Sequence, residues 1–218
     1  MIAEAPWALR AQGYILVLRW PRERADADPF TPPELRDRRV GSFAYVMFLD
    51  YSHSPVGPYQ ELLFIPGGFR DDDRTCYTIT RIYVSSADSV DSGRHNWGIP
   101  KEQASFDVAY GEDRIDRVTM RVGDREAARF TFKHMPVGFP LYAGLVPQGM
   151  RTLRHTLDGH RYTIAPTATS PLRFASVRQA EIDGALFPSF GPSDVLAAVK
   201  ATRVNMTFPV ASIEPAGE

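Results

Sequence analysis

Lysine is the scarce cation in this chain. Among 218 residues only Lys101, Lys133 and Lys200 are lysine, while arginine supplies the other 22 of 25 basic residues. Arginine stays protonated at any working pH, whereas a lysine can shed its proton and act as an amine nucleophile. Lys101 follows Gly98-Ile99-Pro100, so a turn holds it on a rigid corner. That placement makes it the candidate for amine chemistry. A coding preference for arginine would give the same ratio, and a solvated corner packed by Trp97 and Pro100 is the structural alternative.

Other chemistry-bearing groups are fewer. Over 59–66, alternation puts Tyr59, Glu61, Leu63 and Ile65 on one strand face, leaving Glu61 as an acid among apolar neighbours. Such an acid either sits at a rim with its carboxylate in water or faces a pocket. Asp71, Asp72 and Asp73 mark an acidic turn without the spacing or glycine of an EF-hand. His155 and His160 flank a turn at Asp158-Gly159 with no cysteine or third ligand nearby, so no metal site is assigned. Cys76 is the one cysteine, which excludes an intramolecular disulfide and fits a reducing compartment.

Bulk properties narrow the classes further. A formal net charge of −1 and the lack of a basic run argue against nucleic acid and anionic membrane as partners. Arg36-Asp37-Arg38-Arg39 is interrupted by acid and reads as a solvated face. No apolar run approaches the roughly 18 residues of a membrane-spanning helix, and the first residues lack a basic-then-apolar signal pattern. A soluble, cytoplasmic protein is the expectation. The 44% hydrophobic fraction permits a sizeable core.

The elements that must position Lys101 are mostly strands. Runs rich in β-formers predict strands over 13–20, 40–50, 59–66 and 75–85, the last two forming a hairpin and the run 40–50 apolar on both faces. Residues 21–39, with Pro21, Pro29, Pro32 and Pro33, predict an irregular loop holding at most one helical turn at 33–36. Ser86 to Ser89 supply caps for a short helix over 89–96, with Trp97-Gly98 as its exit and Pro100 preventing continuation. Lys101 then stands between a helix end and a strand. A meander of strands over 104–110, 115–122 and 127–133 follows, with Phe106, Val118, Met120, Phe130 and Phe132 among the inward residues. Residues 134–149, rich in proline, glycine and apolar side chains, read as a long loop over a pocket mouth. A hairpin over 152–164, further strand within 171–187, a helix over 194–202 and a strand over 204–211 complete the chain. The whole reads as mainly β: one antiparallel β-barrel or cone-like domain over 1–218, with a few short helices and room for a small apolar cavity.

Gly93-Arg94 followed by Gly98-Ile99-Pro100-Lys101 resembles the acetoacetate decarboxylase family, where a Gly-Arg segment leading to Pro-Lys carries a Schiff-base lysine. The order of strands and the Tyr59-Gln60-Glu61 segment extend the likeness in weaker form over most of the chain. The resemblance implies an antiparallel β-barrel or cone around a hydrophobic pocket. It implies Lys101 as the imine-forming nucleophile and Glu61 as a pocket acid that positions substrate or moves a proton, with Arg94, Trp97 and Tyr59 as substrate-binding side chains. Arg94 also reads as an orienter or helix-end clamp for the motif, and equally as a packing residue. The implied substrate is a small keto acid, undergoing decarboxylation or related aldol or dehydration chemistry without cofactor or metal. Bringing a lysine from about 10.4 to about 7 costs roughly 4 to 5 kcal/mol, which desolvation can supply. Family members are often homo-oligomers, and the doubly apolar strand leaves room for an interface.

Three departures accompany the likeness. The family's second lysine is here Glu102, whose carboxylate would oppose activation of Lys101 unless it faces outward from an extended segment. The place of a second pocket glutamate falls near Val46 and Met47. The N-terminal pocket arginine has only Arg10 and Arg19 as candidates. These departures motivate the alternative of a non-catalytic protein that binds an apolar metabolite in the same pocket.

Overall fold

The computed structural model describes residues 1–71, 74–142 and 151–216. In chain order the elements are β1 (Trp7–Arg19), α1 (Arg22–Ala27), α2 (Pro33–Arg36), β2 (Arg39–Val40), β3 (Phe43–His53), β4 (Tyr59–Ile65), β5 (Gly68–Asp71), β6 (Arg74–Tyr77), β7 (Arg81–Val84), α3 (Ala87–Trp97) and β8 (Lys101–Gln103). Then come β9 (Ser105–Tyr110), β10 (Ile115–Val122), β11 (Arg125–Tyr142), β12 (Leu153–Leu157), β13 (His160–Ile164), β14 (Thr167–Ile182), β15 (Val195–Phe208) and β16 (Ser212–Pro215). Ten strands form one sheet in the order β8-β7-β4-β3-β1-β15-β14-β11-β10-β9. Its two edges, β8 and β9, are separated in sequence by Ala104 alone, so the sheet curls into a nearly closed barrel. A second sheet, β16-β13-β12-β6-β5-β2, packs outside it.

Two cores follow from the two faces of the large sheet. Inside the barrel lie Tyr14, Leu16, Val46, Phe48, Leu62, Phe64, Val118, Met120, Phe130 and Phe132. Outside, beneath α3 and the second sheet, lie Trp7, Leu9, Leu49, Tyr51, Leu63, Ile82, Trp97 and Ile99. Strands β3 and β4 feed both cores, which is why they read as apolar on both faces.

Among the described residues the pairing in the barrel is antiparallel except between β7 and β8, which are parallel. A parallel pair needs a crossover, and α3 provides it. Ser86 caps α3 by accepting from the Ser89 N–H at 3.2 Å, and Gly98 ends it in the left-handed region at φ 59°. This β7-α3-β8 unit delivers Lys101 as the first residue of β8.

Several sequence expectations are corrected. The helix over 194–202 is strand β15, paired on both sides, with β1 and β14. Its Ala-rich run has helical propensity, but two-sided pairing outweighs that preference, and both faces of the strand are covered, Lys200 meeting Asp116 on one and Ala201 joining the outer core on the other, which hides the period of two. The strand over 75–85 divides at Thr78–Thr80 because the chain passes there from the outer sheet to the barrel. Ile79 is fixed at the crossing by its N–H donating to His155 Nε2 at 3.2 Å. The loop over 134–149 is instead strand as far as Tyr142, paired with β14, and a register irregularity between His134 and Gly138 absorbs Pro136; the remainder of that loop lies outside the described residues. The segment 21–39 holds helix α1 in addition to the turn at 33–36.

Candidate active site

The Lys101 side chain lies flat against α3. Ser89, Gly93 and Trp97 repeat at four-residue spacing and share the buried helix face. A Cβ on Gly93 would fall 2.7 Å from Lys101 Cδ and 2.8 Å from Cε, so only glycine leaves room for the lysine. Nζ donates to Glu61 Oε2 at 3.0 Å and to Ser89 Oγ at 3.0 Å, and lies 5.3 Å from the Tyr59 ring centre. Lys101 and Glu61 side chains are 4% and 6% exposed, so the pair is shielded from water. The Tyr51 hydroxyl donates to Glu61 Oε1 at 3.2 Å, and its ring stacks on Tyr59 at 4.5 Å.

Glu61 joins two spaces. On one side is a narrow neck of about 20 Å³ bounded by Lys101, Tyr59, Trp97 and Ile99. On the other is a cavity of about 360 Å³ between the barrel's outer face and the second sheet. Tyr45, Met47, Leu49, Leu63, Ile65, Ile79, Leu153, Met206 and Phe208 line the cavity, with Arg151 as the cation among the described lining residues. Lys101 thus bounds the narrow neck, and Glu61, which lines both spaces, lies between it and the apolar cavity.

Two opposing forces set the lysine's charge. Burial pushes its pKa down, but the Glu61 carboxylate and Tyr59 push it up further, and the net effect is a raised value. Lys101 therefore rests as an ammonium ion beside Glu61. Burial also raises Tyr51 and Tyr59, which keeps both phenols protonated, Tyr51 as a donor to Glu61.

The other sequence candidates occupy distinct places. Glu102 faces away from the cavity and pairs with Arg81, so the acid beside Lys101 is Glu61 and not its sequence neighbour. Arg94 is exposed, and its Nε donates to the Lys101 carbonyl at 3.2 Å; it clamps the corner from outside and does not line either space. Trp97 walls the neck through packing on Trp7 and Phe208, with Nε1 donating to the Pro209 carbonyl. Met47 lines the cavity and Val46 belongs to the barrel interior, so neither place holds a second acid. Arg10 and Arg19 are both exposed and line neither space. His155 is buried and His160 exposed. Lysine scarcity alone did not single out Lys101, since Lys200 is also buried, paired with Asp116, which accepts from the Tyr14 hydroxyl as well, in the barrel interior.

Sequence reasoning missed Ser89, Tyr51 and the contact role of Gly93. Tyr51 lies just past the strand predicted over 40–50, yet it continues the face of Tyr45, Met47 and Leu49. The i, i+4 series of Ser89, Gly93 and Trp97 carried the other signal.

The family model for acetoacetate decarboxylase (ADC) matches residues 3–173. The chain belongs to that family. Among curated proteins, Protein NEOXANTHIN-DEFICIENT 1 of rice (Oryza sativa subsp. japonica) is 36% identical over 106 residues, covering 46% of this chain and 33% of the relative. The homonymous Arabidopsis thaliana protein is 32% identical over 108 residues, 48% of this chain and 37% of its own length. The match thus spans about a third of either relative's length. Among solved structures, the acetoacetate decarboxylase of Legionella pneumophila superposes with a TM-score of 0.75 at 14% identity, covering 97% of this chain and 88% of that one. The enduracididine biosynthesis enzyme MppR, complexed with the condensation product of pyruvate and imidazole 4-carboxaldehyde, gives 0.71 at 15% identity over 100% and 92%. At such identities the two structures share the fold of the acetoacetate decarboxylase family with this chain.

Proposed function

We propose that this acetoacetate decarboxylase family member is an enzyme that forms a Schiff base between Lys101 and a small keto acid and breaks a carbon–carbon bond beside the imine. The observation that carries the reading is the enclosed Lys101 amine, 3.0 Å from the Glu61 carboxylate at the floor of an apolar cavity. Passing the proton from ammonium to carboxylate exchanges an ion pair for two neutral groups, a change that a dry interior favours more than water does. The freed amine attacks the carbonyl carbon. Loss of water leaves an iminium, the bond to the β-carboxylate breaks, its electron pair enters the iminium, and CO₂ departs. Glu61 gives the proton it took from the ammonium to the departing hydroxyl as the iminium forms, then relays a proton from solvent to the enamine carbon, and water releases the ketone and the amine. A substrate carboxylate beside Glu61 would repel it, and departure as neutral CO₂ relieves that repulsion. The same imine serves aldol or dehydration chemistry, in keeping with the condensation product held by MppR.

The raised lysine pKa and its closed neck favour a second reading, a binding protein for an apolar metabolite with Lys101 and Glu61 as a structural pair. Turnover and binding of acetoacetate, and of pyruvate with an aldehyde, by wild type and Lys101→Ala separate the two. An enzyme turns over at least one, and the variant turns over none. A protein that turns over nothing and binds equally well without Lys101 is the binding protein.

A further inference from the structure

The chamber is longer and more apolar than a short keto acid uses. Its volume of about 360 Å³ holds about a dozen waters at roughly 30 Å³ each. The polar atoms beside Lys101, those of Glu61 and Tyr51, occupy one end. From there the wall follows β4 from Glu61 to Ile65, four residues and about 13 Å at ~3.3 Å per residue, with Leu49, Met47 and Tyr45 of β3 in register alongside. Tyr77, Leu153 and Met206 also line it. Leu153 pairs with Tyr77 in a parallel bridge, which sets Arg151 beyond Tyr77 at the end remote from Lys101. There the Arg151 Nη1 donates to the carbonyls of Ala165 and Pro166 at 3.2 and 3.0 Å. The groups that handle a carbonyl and the surface that takes a hydrocarbon are therefore arranged in sequence along one strand.

Resting on the Schiff-base reading, we propose that the substrate is a β-keto acid with an apolar tail on the far side of its carbonyl. The carbonyl carbon meets Lys101 Nζ, the carboxylate lies beside Glu61, and the tail runs along β4 toward Tyr77 and Leu153. The Nζ–C bond forms with loss of water, the bond to the carboxyl carbon breaks with its electron pair entering the iminium, CO₂ leaves, and hydrolysis returns the amine and a long-chain methyl ketone.

The test is a chain-length series of acetoacetate, 3-oxohexanoate and 3-oxooctanoate, with CO₂ release as the readout. Each methylene moved from water into the cavity raises kcat/KM about fourfold, so on the order of 200-fold across the four added. Leu153→Trp, which fills the remote end, lowers the 3-oxooctanoate to acetoacetate ratio at least about tenfold. Turnover of acetoacetate with a flat or falling series overturns the proposal and leaves the Schiff-base reading intact. If no acid is turned over, the Schiff-base reading fails, and binding of 2-heptanone against acetone by calorimetry still decides the cavity's preference. Equal affinities overturn the apolar-tail assignment; a gain of similar size per methylene supports it.

Discussion

Gly93→Ala perturbs the site through one methyl group. At ideal geometry the new Cβ lies 2.7 Å from Lys101 Cδ and 2.8 Å from Cε. Ordinary carbon contacts begin at about 3.5 Å, so the lysine must withdraw by about 1 Å. Its bonds to Glu61 and Ser89, 3.0 Å each, then stretch toward about 4 Å, beyond hydrogen-bonding range. Alanine gains about 1 kcal/mol over glycine in a helix interior, which offsets part of the roughly 1 to 3 kcal/mol of crowding. Stability should therefore change by less than about 2 kcal/mol, whereas misplacing a reacting atom by about 1 Å lowers rate about a hundredfold. The assay pairs a melting curve with the rate of borohydride-dependent adduct formation on Lys101 in the presence of acetoacetate. A hundredfold slower adduct in a protein that melts within a few degrees of wild type is expected. Wild-type labelling in an equally stable variant would refute the role given to the fit between Gly93 and Lys101.

Glu61→Gln removes the carboxylate that raises Lys101 and leaves burial to dominate, so the pH profile of amine labelling by a small aldehyde should move to lower pH. Turnover should fall about 10²- to 10⁴-fold, and urea unfolding should register the unpaired buried charge as up to about 3 to 5 kcal/mol. Glu102→Gln removes only the partly exposed partner of Arg81; stability should change by less than about 1 kcal/mol and the labelling profile should stay in place. His155 is held down at about 4 from 6.5, chiefly by burial, against a raising contribution from the Trp97 carbonyl. Its neutral ring favours the folded state fully above pH 6.5, and this contribution is lost as pH falls toward 4, up to about 3 kcal/mol. Denaturant titrations across that window should show the slope in wild type and a shallower one in His155→Gln.

The site was legible where local rules and spatial needs coincide. Ser86, Gly98 and Pro100 announce a capped helix with a sharp exit, and the structure places Lys101 at that exit because the parallel pair of β7 and β8 requires the crossover. The alternation of Tyr59, Glu61, Leu63 and Ile65 gave the correct face of β4, but not that a second sheet would roof it and turn Glu61 from a rim acid into a floor. That roof depends on joining the β5–β6 hairpin to the β12–β13 hairpin through the Tyr77–Leu153 bridge, a pairing of distant segments that no local periodicity announces. β15 was misread for the same reason: Ala-rich composition speaks for a helix until two neighbouring strands satisfy its backbone. Glu102 shows the converse, since simple strand alternation turned it outward.

The central claim is that Lys101 becomes covalently attached to a carbonyl carbon. Borohydride reduction of the protein with acetoacetate, pyruvate and 3-oxooctanoate, followed by peptide mass spectrometry, tests it most directly. The expected result is a reduced adduct on the peptide carrying Lys101, with the mass of the decarboxylated ketone for the β-keto acids, and none on Lys133 or Lys200. An unlabelled Lys101 with every one of these acids, in a folded protein that binds them, would contradict it.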